Sequence, residues 1–510
     1  LNSGKTEIKT PSRTVDLVPF FTADSQFDLH NFPAVLNVTG ICFDSRKVKP
    51  GNVFVCLSGT HADGNQFVQD AIKSGAACIV SQQNVQTEIP TVIVPDAFDT
   101  LAYLADYFYD HPSTKLRLIG VTGTSGKTTT THLIEHIFNV CGKRTGLIGT
   151  LGSRMPGQTG YTDPDLTTPQ SSDVHRFLYQ MQEHDCSHAC MEVSSHALML
   201  GRVKGCEFAT AVFTNISQDH LDFHKTMEAY TQAKLQLFVL LNHSRQANKT
   251  AVINLDDPVA KLFIDACGCD VRKLTYGINS DSDIKALSIA YDFAGTRVRL
   301  QTLSGEVEVS SKLVGSFNVY NLMAAIGVAI AEGITLENCV RAIDTFTGVP
   351  GRFEVVRSGK TDEPLCIVDH SHKPDALENV LKTARNLTPR DGRLIVVFGC
   401  GGDRDNTKRP KMGRIAEMLA DSVIVTSDNP RSENPDAIIK EIVAGISDMS
   451  KIKVEADRAI AIQLAIDEAG TNDVVVMAGK GHETYQILAD RKIEFDDRVK
   501  VLEALKLRSS

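Results

Sequence analysis

The chain has 510 residues, too many for one hydrophobic core, and its length points to about three domains. Its composition, 42% hydrophobic and 23% charged, is that of a soluble globular protein, and no apolar run approaches the ~20 residues that cross a bilayer. The net charge of −9 is dispersed, with no basic block suited to nucleic acid or a membrane surface, so neither partner is expected.

The opening residues, LNSGKTEIKTPSR, are polar, read as frayed, and contain no secretory apolar core. The first ~110 residues then read as a small α/β domain. Strand-like runs fall at 53–57, 76–80 and 91–94, with a short helix over 67–72. Two loop clusters stand out: Phe43-Asp44-Ser45-Arg46 and Gly59-Thr60-His61-Ala62-Asp63-Gly64. By themselves both are equally well explained as turn chemistry.

The stretch LRLIGVTGTSGKTTTTHLIEHIFNVC, residues 116–141, organises the middle of the chain. An apolar strand leads into Gly123-Thr124-Ser125-Gly126-Lys127-Thr128-Thr129, and Leu133, Ile134, Ile137 and Phe138 then recur at helical spacing. Gly142 is placed to cap that helix. Strand, glycine loop and helix start form a phosphate cradle, in which backbone N–H groups and the helix dipole face an anion. Lys127 would reach the β- and γ-phosphates and the Thr128 hydroxyl would hold Mg²⁺, so ATP is the expected cofactor. Val121 stands where the strict pattern has its first glycine.

The middle domain is expected over 114–349, after a first domain over 1–113. Thr167-Thr168-Pro169 precedes a strand over 189–193 that carries Glu192 near its carboxyl end, where a carboxylate could meet Mg²⁺. A strand over 209–214 runs into NISQDHLDFH, which contains His220. On the next helix Tyr230, Lys234 and Phe238 share one face, although spacing alone favours an ordinary solvent-facing lysine at 234. A strand over 251–255 ends in Asp256-Asp257, residues 283–313 are β-rich and read as a hairpin in or beside the sheet, and a helix spans 318–330. Alternating elements of this kind argue for a parallel sheet.

Gly348-Val349-Pro350-Gly351 is the candidate hinge into a last, Rossmann-like domain over 350–510. Four strands there each lead into a polar loop: Asp369-His370-Ser371-His372, Gly399 to Asp405 with Arg404, Ser427-Asp428-Asn429-Pro430-Arg431, and Gly479-Lys480-Gly481-His482-Glu483. Ligands bind beyond the carboxyl ends of strands in open α/β sheets, so these loops mark a second binding site. The twelve cysteines form no C-x-x-C pair and sit mostly in apolar runs, as buried thiols in a reducing cytosol would.

GTSGKT, EVSSHAL, FTNISQDHLDFH, GSFNVYN, PGRFE, GDRD, DNPR and GKGHE, in this order over essentially the whole chain, resemble the Mur ligase family. The resemblance implies a three-domain α/β fold with a central ATPase-type parallel sheet, and a monomeric cytoplasmic ligase of peptidoglycan precursor synthesis. Its last three motifs imply addition of meso-2,6-diaminopimelate to UDP-N-acetylmuramoyl-L-alanyl-D-glutamate, with lysine addition or a non-catalytic scaffold as alternatives. It assigns Ser45, Thr60, His61 and Ala62 to the uridine nucleotide, and Thr167, Thr168, Ser194 and Arg202 to the muramoyl-dipeptide. Lys127, Thr128, Glu192 and His220 serve ATP and Mg²⁺; Asn318, Arg352 and Asp369 contact the nucleotide. Lys234 is implied to be carbamylated and to join Thr128, Glu192 and His220 at the metal. Arg404, Asp428, Asn429, Arg431, Gly479 and Glu483 hold diaminopimelate. The chain departs from the family pattern Asp-Tyr-Ala-His, carrying His370 and Ser371 between Asp369 and His372.

Overall fold

A computed structural model describes residues 13–59, 63–158, 160–162, 166–292 and 295–508, with the side chains of 222 and 292 left aside. Its residues group into two units, the first built mainly from the chain up to Ala286 together with Tyr320–Ala342, the second mainly from Ile343 onward together with Leu287–Leu300 and Val307–Val319.

A five-stranded sheet of the first unit is built from β1 (Asp28–His30), β2 (Gly40–Cys42), β3 (Asn52–Val55), β4 (Cys78–Ser81) and β5 (Thr91–Ile93), in sheet order β1-β5-β4-β3-β2. The helix expected over 67–72 is a 3-10 turn, Gly64–Phe67, running into Val68–Lys73. Helix α1 (Ala97–Phe108) is capped by Asp96, whose side chain accepts from the Asp99 N–H.

A larger sheet comes next. Its strands are β6 (Arg117–Thr122), β7 (Thr145–Gly149), β8 (Gly152–Arg154), β9 (His188–Glu192), β10 (Phe208–Phe213), β11 (Thr250–Asn254), β12 (Arg272–Gly277) and β13 (Ile284–Asp292). They are ordered β8-β7-β9-β6-β10-β11-β12-β13, parallel except for β8. Leu118, Ile119 and Val121 of β6 are all fully buried, as strands covered on both faces require. Helix α2 (Lys127–Val140) buries Leu133, Ile134, Ile137 and Phe138. It ends as its sequence predicts. Gly142 takes φ +80°, and Lys143 N–H donates to the Phe138 carbonyl at 2.8 Å, the long bond of a Schellman cap.

Four further helices matter to the site: α3 (Ser171–Glu183), α4 (Ser195–Met199), α5 (Met227–His243) and α6 (Ser316–Ala331). The β-rich stretch beginning at 283 adds β13 to the sheet beyond β12, paired at Tyr276↔Ile284 and Gly277↔Lys285. Two more strands succeed it, Gly295–Thr302 and Gly305–Ser311.

In the second unit β14 (Glu354–Val356), β15 (Leu365–Asp369), β16 (Leu394–Phe398), β17 (Ser422–Val425), β18 (Ile452–Val454) and β19 (Val474–Ala478) form a sheet. The order is β14-β15-β19-β16-β17-β18, parallel except for β14. Helices α7 (Pro374–Leu387), α8 (Lys408–Leu419), α9 (Arg458–Glu468) and α10 (Asp497–Leu507) cover its faces through two apolar clusters. The crossovers make β15, β19, β16 and β17 consecutive, so the four polar loops expected from the sequence leave neighbouring strands at one edge. All twelve cysteines are free, and among the described residues no helix is long and apolar enough to cross a membrane.

One buried carboxylate ties the end of α6 to the large sheet. Arg117 of β6 pairs with Glu332 through Nε at 2.5 Å and Nη2 at 2.9 Å, and Thr210 of β10 donates to it at 3.0 Å. Burial would raise the Glu332 carboxyl, but His188 and the Arg117 fork outweigh it and hold the group at about 2, against an ordinary 4.5. A depressed value adds stability above the unfolded value and loses it as pH falls through the folded one. The difference in unfolding free energy between wild type and Glu332→Gln should therefore be about 3 kcal/mol near neutrality. It should shrink as pH falls from 4.5 toward 2. Denaturant titrations across that window check this; a constant difference would rule out the ion pair as the source.

Candidate active site

The loop expected to cradle phosphate begins where β6 ends. Gly123 sits at φ +148°, and a Cβ there would lie 1.9 Å from Thr214 Oγ1, so only glycine fits. Residues just beyond β10 brace the loop. Thr214 Oγ1 donates to the Ser125 carbonyl at 2.7 Å, and Asn215 Oδ1 accepts from Ser125 N–H at 3.0 Å. Thr124 N–H donates to the Asn215 carbonyl at 2.8 Å. Gly126 initiates α2 at φ +86°, Ser125 is exposed, and Thr128 and Thr129 are buried in the first helical turn. Asn321 on α6 closes over the loop: its Oδ1 accepts from Thr130 at 3.2 Å and lies where a Gly126 Cβ would approach to 2.5 Å.

Two lysines converge on one carbonyl. Lys127 Nζ donates to the carbonyls of Gly123 at 2.8 Å and Thr124 at 2.9 Å, and Lys234 Nζ donates to that of Gly123 at 2.7 Å. Lys234 is 1% exposed and lies 4.5 Å over the Tyr230 ring, which corrects the solvent-facing reading. It is buried because Tyr230 and Phe238, one turn to either side, are buried on the same face. Tyr230 meets Thr124, hydroxyl to hydroxyl, at 3.2 Å.

Glu192, the last residue of β9, is fully buried and hydrogen-bonded three times. Thr128 Oγ1, Thr150 N–H and Thr150 Oγ1 each donate to it at 2.9 Å. Around it the structure gathers the residues assigned to the dipeptide. Thr168 Oγ1 donates to the Glu192 carbonyl at 2.7 Å and accepts from Ser194 N–H at 3.0 Å. Arg202 Nη1 donates to the Thr168 carbonyl at 3.1 Å, and Thr150 donates to Thr167 at 3.3 Å. Sequence reasoning missed Thr150, Asn215 and Asn321; the first two stand one and two residues past strand ends, at the edge where ligands bind.

His220 takes a left-handed φ of 52° at the start of the short helix Leu221–His224. Its ring packs edge-on to His196 at 4.7 Å and lies 6.2 Å from Tyr230, the residue beneath Lys234. The structure thus links His220 to Lys234 through Tyr230, and Thr128 to Glu192 directly. Ser45 opens a 3-10 turn capped by Asp44, which Arg46 grips through two 2.8 Å bonds. Thr60, His61 and Ala62 lie outside the described residues. Helix α1 is tied to the central layers where Asp99 pairs with Lys204 at 2.5 Å, two residues from Arg202, and where Asp106 faces His175 at 3.5 Å.

In the second unit, Asn318 is buried and donates to the Val314 carbonyl at 2.9 Å. Asp369 accepts from Phe353 N–H at 2.7 Å and from the Ser371 hydroxyl, and burial raises its carboxyl. Arg352 directly precedes Phe353, which stands at φ 48°. His370, at the position where the chain departs from the family pattern, contacts the Lys480 carbonyl through Nδ1 at 3.0 Å. Burial, then the neighbouring His372, keep His370 well below the ordinary imidazole range.

The loops that the resemblance assigns to the amino acid lie side by side. Asn429 is 3% exposed and donates through Nδ2 to Glu483 at 2.8 Å. Gly479, at φ +120°, stands where a Cβ would come within 2.5 Å of Asp428 Oδ2. Arg431 takes φ 51° and donates to the Gly402 carbonyl at 2.7 Å. It does not pair with Glu433, which is held by the buried Arg409 through two 2.9 Å bonds. Arg404 is exposed, and Gly401 lies between the two arginines: its Cβ would approach Arg431 Nη1 to 2.9 Å and Arg404 Cγ to 3.9 Å. Beneath these loops Arg458 and Asp497, both fully buried, pair through two 2.7 Å bonds. Arg458 also donates to the Ala478 carbonyl at 3.1 Å, just before Gly479.

Three family models match the chain in order: Mur ligase family, catalytic domain over 37–107; Mur ligase middle domain over 121–329; and Mur ligase, glutamate ligase domain over 351–481. A relative from Gloeobacter violaceus, named UDP-N-acetylmuramoyl-L-alanyl-D-glutamate--2,6-diaminopimelate ligase, is 48% identical over 96% of this chain and 98% of its own. One of the same name from Bacillus cereus is 46% identical over 94% and 96%. A solved structure with that enzyme's name has a TM-score of 0.66 and 35% identity, covering 92% of this chain and 95% of its own.

The Glu192 cradle generates a test. Gly149 closes β7, and a Cβ there would lie 2.3 Å from Glu192 Oε1. Gly149→Ala must push the carboxylate aside by roughly 1 Å, a displacement that costs about 10²-fold in turnover. Circular dichroism should stay native while ATP turnover falls; full activity would show that the Glu192 position is not critical.

Proposed function

The chain belongs to the Mur ligase family, and from that premise we propose that it is an ATP-dependent, ADP-forming ligase that joins meso-2,6-diaminopimelate to UDP-N-acetylmuramoyl-L-alanyl-D-glutamate in peptidoglycan precursor synthesis. The observation that carries the choice of amino acid is the set of opposite charges at one sheet edge: Arg431 and Arg404 about Gly401, and Glu483 against Asn429. Residues 1–113 serve the uridine nucleotide, 114–349 the ATP, and 350–510 the incoming amino acid. The nucleotide-linked substrate and the twelve free thiols support a cytoplasmic location.

A carboxylate resists attack by an amine because charge and resonance both oppose it. Transfer of the ATP γ-phosphoryl to the dipeptide carboxylate gives an acyl phosphate. The amine then adds to its carbonyl, and phosphate leaves from the tetrahedral intermediate as the amide forms. Lys127 and the start of α2 hold the phosphates and offset charge as the phosphoryl moves. The Lys127 ammonium, resting on the Gly123 and Thr124 carbonyls, fits a polyanion. Thr128 and Glu192 offer the hard oxygen donors that suit Mg²⁺, with His220 and a carbamylated Lys234 completing the set. Bound there, Mg²⁺ supplies charge neutralisation for the phosphoryl oxygens. Thr167, Thr168, Ser194 and Arg202 orient the dipeptide, Ser45, Thr60, His61 and Ala62 its nucleotide, and Asn318, Arg352 and Asp369 contact ATP.

Phosphate release measured with purified protein tests the reaction. It should require ATP, the muramoyl-dipeptide and diaminopimelate together; release that ignores either co-substrate would identify a nucleotide switch instead. Amino-acid choice has its own test. Lysine lacks the far carboxylate and would leave the arginine without its anion, so wild type should favour diaminopimelate by about 10²-fold or more. Arg431→Ala should raise the KM for diaminopimelate strongly and leave that for ATP unchanged. Equal use of both amino acids by wild type would overturn the assignment.

A further inference from the structure

Lys480, between the glycines of Gly479-Lys480-Gly481, has a side chain with no exposure to solvent. A buried ammonium persists only when paired and hydrogen-bonded. Its hydrogen-bond partners both belong to the amino-acid site, Asn429 Oδ1 at 3.1 Å and Glu483 Oε2 at 3.3 Å, and its ammonium lies 6.0 Å over the Tyr485 ring. Asn429 Oδ1 also accepts from Ile487 N–H at 3.0 Å. With its oxygen facing two donors, the amide has one orientation, and Nδ2 points to Glu483 Oε2 at 2.8 Å. Both contacts to Glu483 therefore fall on the same carboxylate oxygen, while a fifth of that side chain remains exposed.

We infer that Lys480 is a positioning residue for amino-acid selection: it fixes Asn429 and Glu483 so that Glu483 turns Oε1, and Asn429 its second N–H, toward the ligand. This rests on the reading of the chain as the diaminopimelate ligase. Oε1 suits the ammonium on the far carbon of diaminopimelate and the amide N–H suits a carboxylate oxygen. Lys480 also offsets part of the Glu483 charge from behind. A ligand whose far end is only an ammonium, such as lysine, thereby gains less from Glu483, and a zwitterionic end is repelled less. The Lys480 carbonyl accepts from His370, which anchors the loop from its other side.

The test is steady-state kinetics of Lys480→Met, alone and with Glu483→Gln, using diaminopimelate and lysine. Lys480→Met should raise the KM for diaminopimelate about tenfold and narrow the preference over lysine, with kcat within about threefold and the KM for ATP unchanged. In the Glu483→Gln background the Lys480 substitution should add little, because it acts through that carboxylate. Multiplying effects, or a fall in kcat with KM intact, would overturn the inference. If Lys480→Met does not fold, Lys480→Gln should give the same pattern in weaker form; failure of both to fold would assign Lys480 a structural role only and overturn it. Wild type that does not ligate diaminopimelate would defeat the underlying reading. Wild type that does, beside an unaltered Lys480→Met, would defeat this inference alone.

Discussion

The site in the first unit depends on one buried carboxylate. Glu192 carries its charge where water cannot reach it, and such a charge is tolerated only with its lone pairs filled. The three donors come from the helix start at Thr128 and from the strand end at Thr150. Through the Glu192 carbonyl the same residue also fixes Thr168, and through Thr168 both Ser194 and Arg202. A single strand end therefore sets the distance between the loop before α2 and the residues around Thr168, and no member of this group can shift without exposing an unfilled acceptor.

What the sequence made legible was local. The run from Leu116 through Gly142 holds strand, loop, helix and cap within one stretch, so periodicity and turn chemistry suffice, and every part of it formed. The four polar loops of the last domain were equally readable, because each succeeds a short apolar run. Their adjacency was not, since it depends on β19 inserting between β15 and β16, a crossover that no local pattern records.

Charged residues in the interior were the least legible. Lys234 reads as a surface lysine because α5 is buried on most of its circumference, and a single cation interrupts no apolar stripe. Tyr230 and Phe238, four residues to either side, carried the available signal. Lys480, between two glycines, has no apolar neighbour in the chain to signal its burial. Tertiary pairing with Asn429 and Glu483, the first of them far away in the chain, is what buries it. Strand β7 escaped notice because Thr-Gly-Leu-Ile-Gly has two glycines in five residues, yet Gly149 is needed there to admit Glu192.

The carbonyl of Gly123, with the Lys127 ammonium resting on it, has a consequence for how an anion would enter. Entry is an exchange of acceptors for that lysine. A hydrogen bond gained on a phosphate oxygen is offset by one released from the loop, so little is won from hydrogen bonding itself. What does change is charge: an ammonium that rested on a neutral dipole meets an anion. The attraction is then largely long-range and Coulombic, which makes the loop sensitive to ionic strength in a way that a cradle of backbone amides alone would not be.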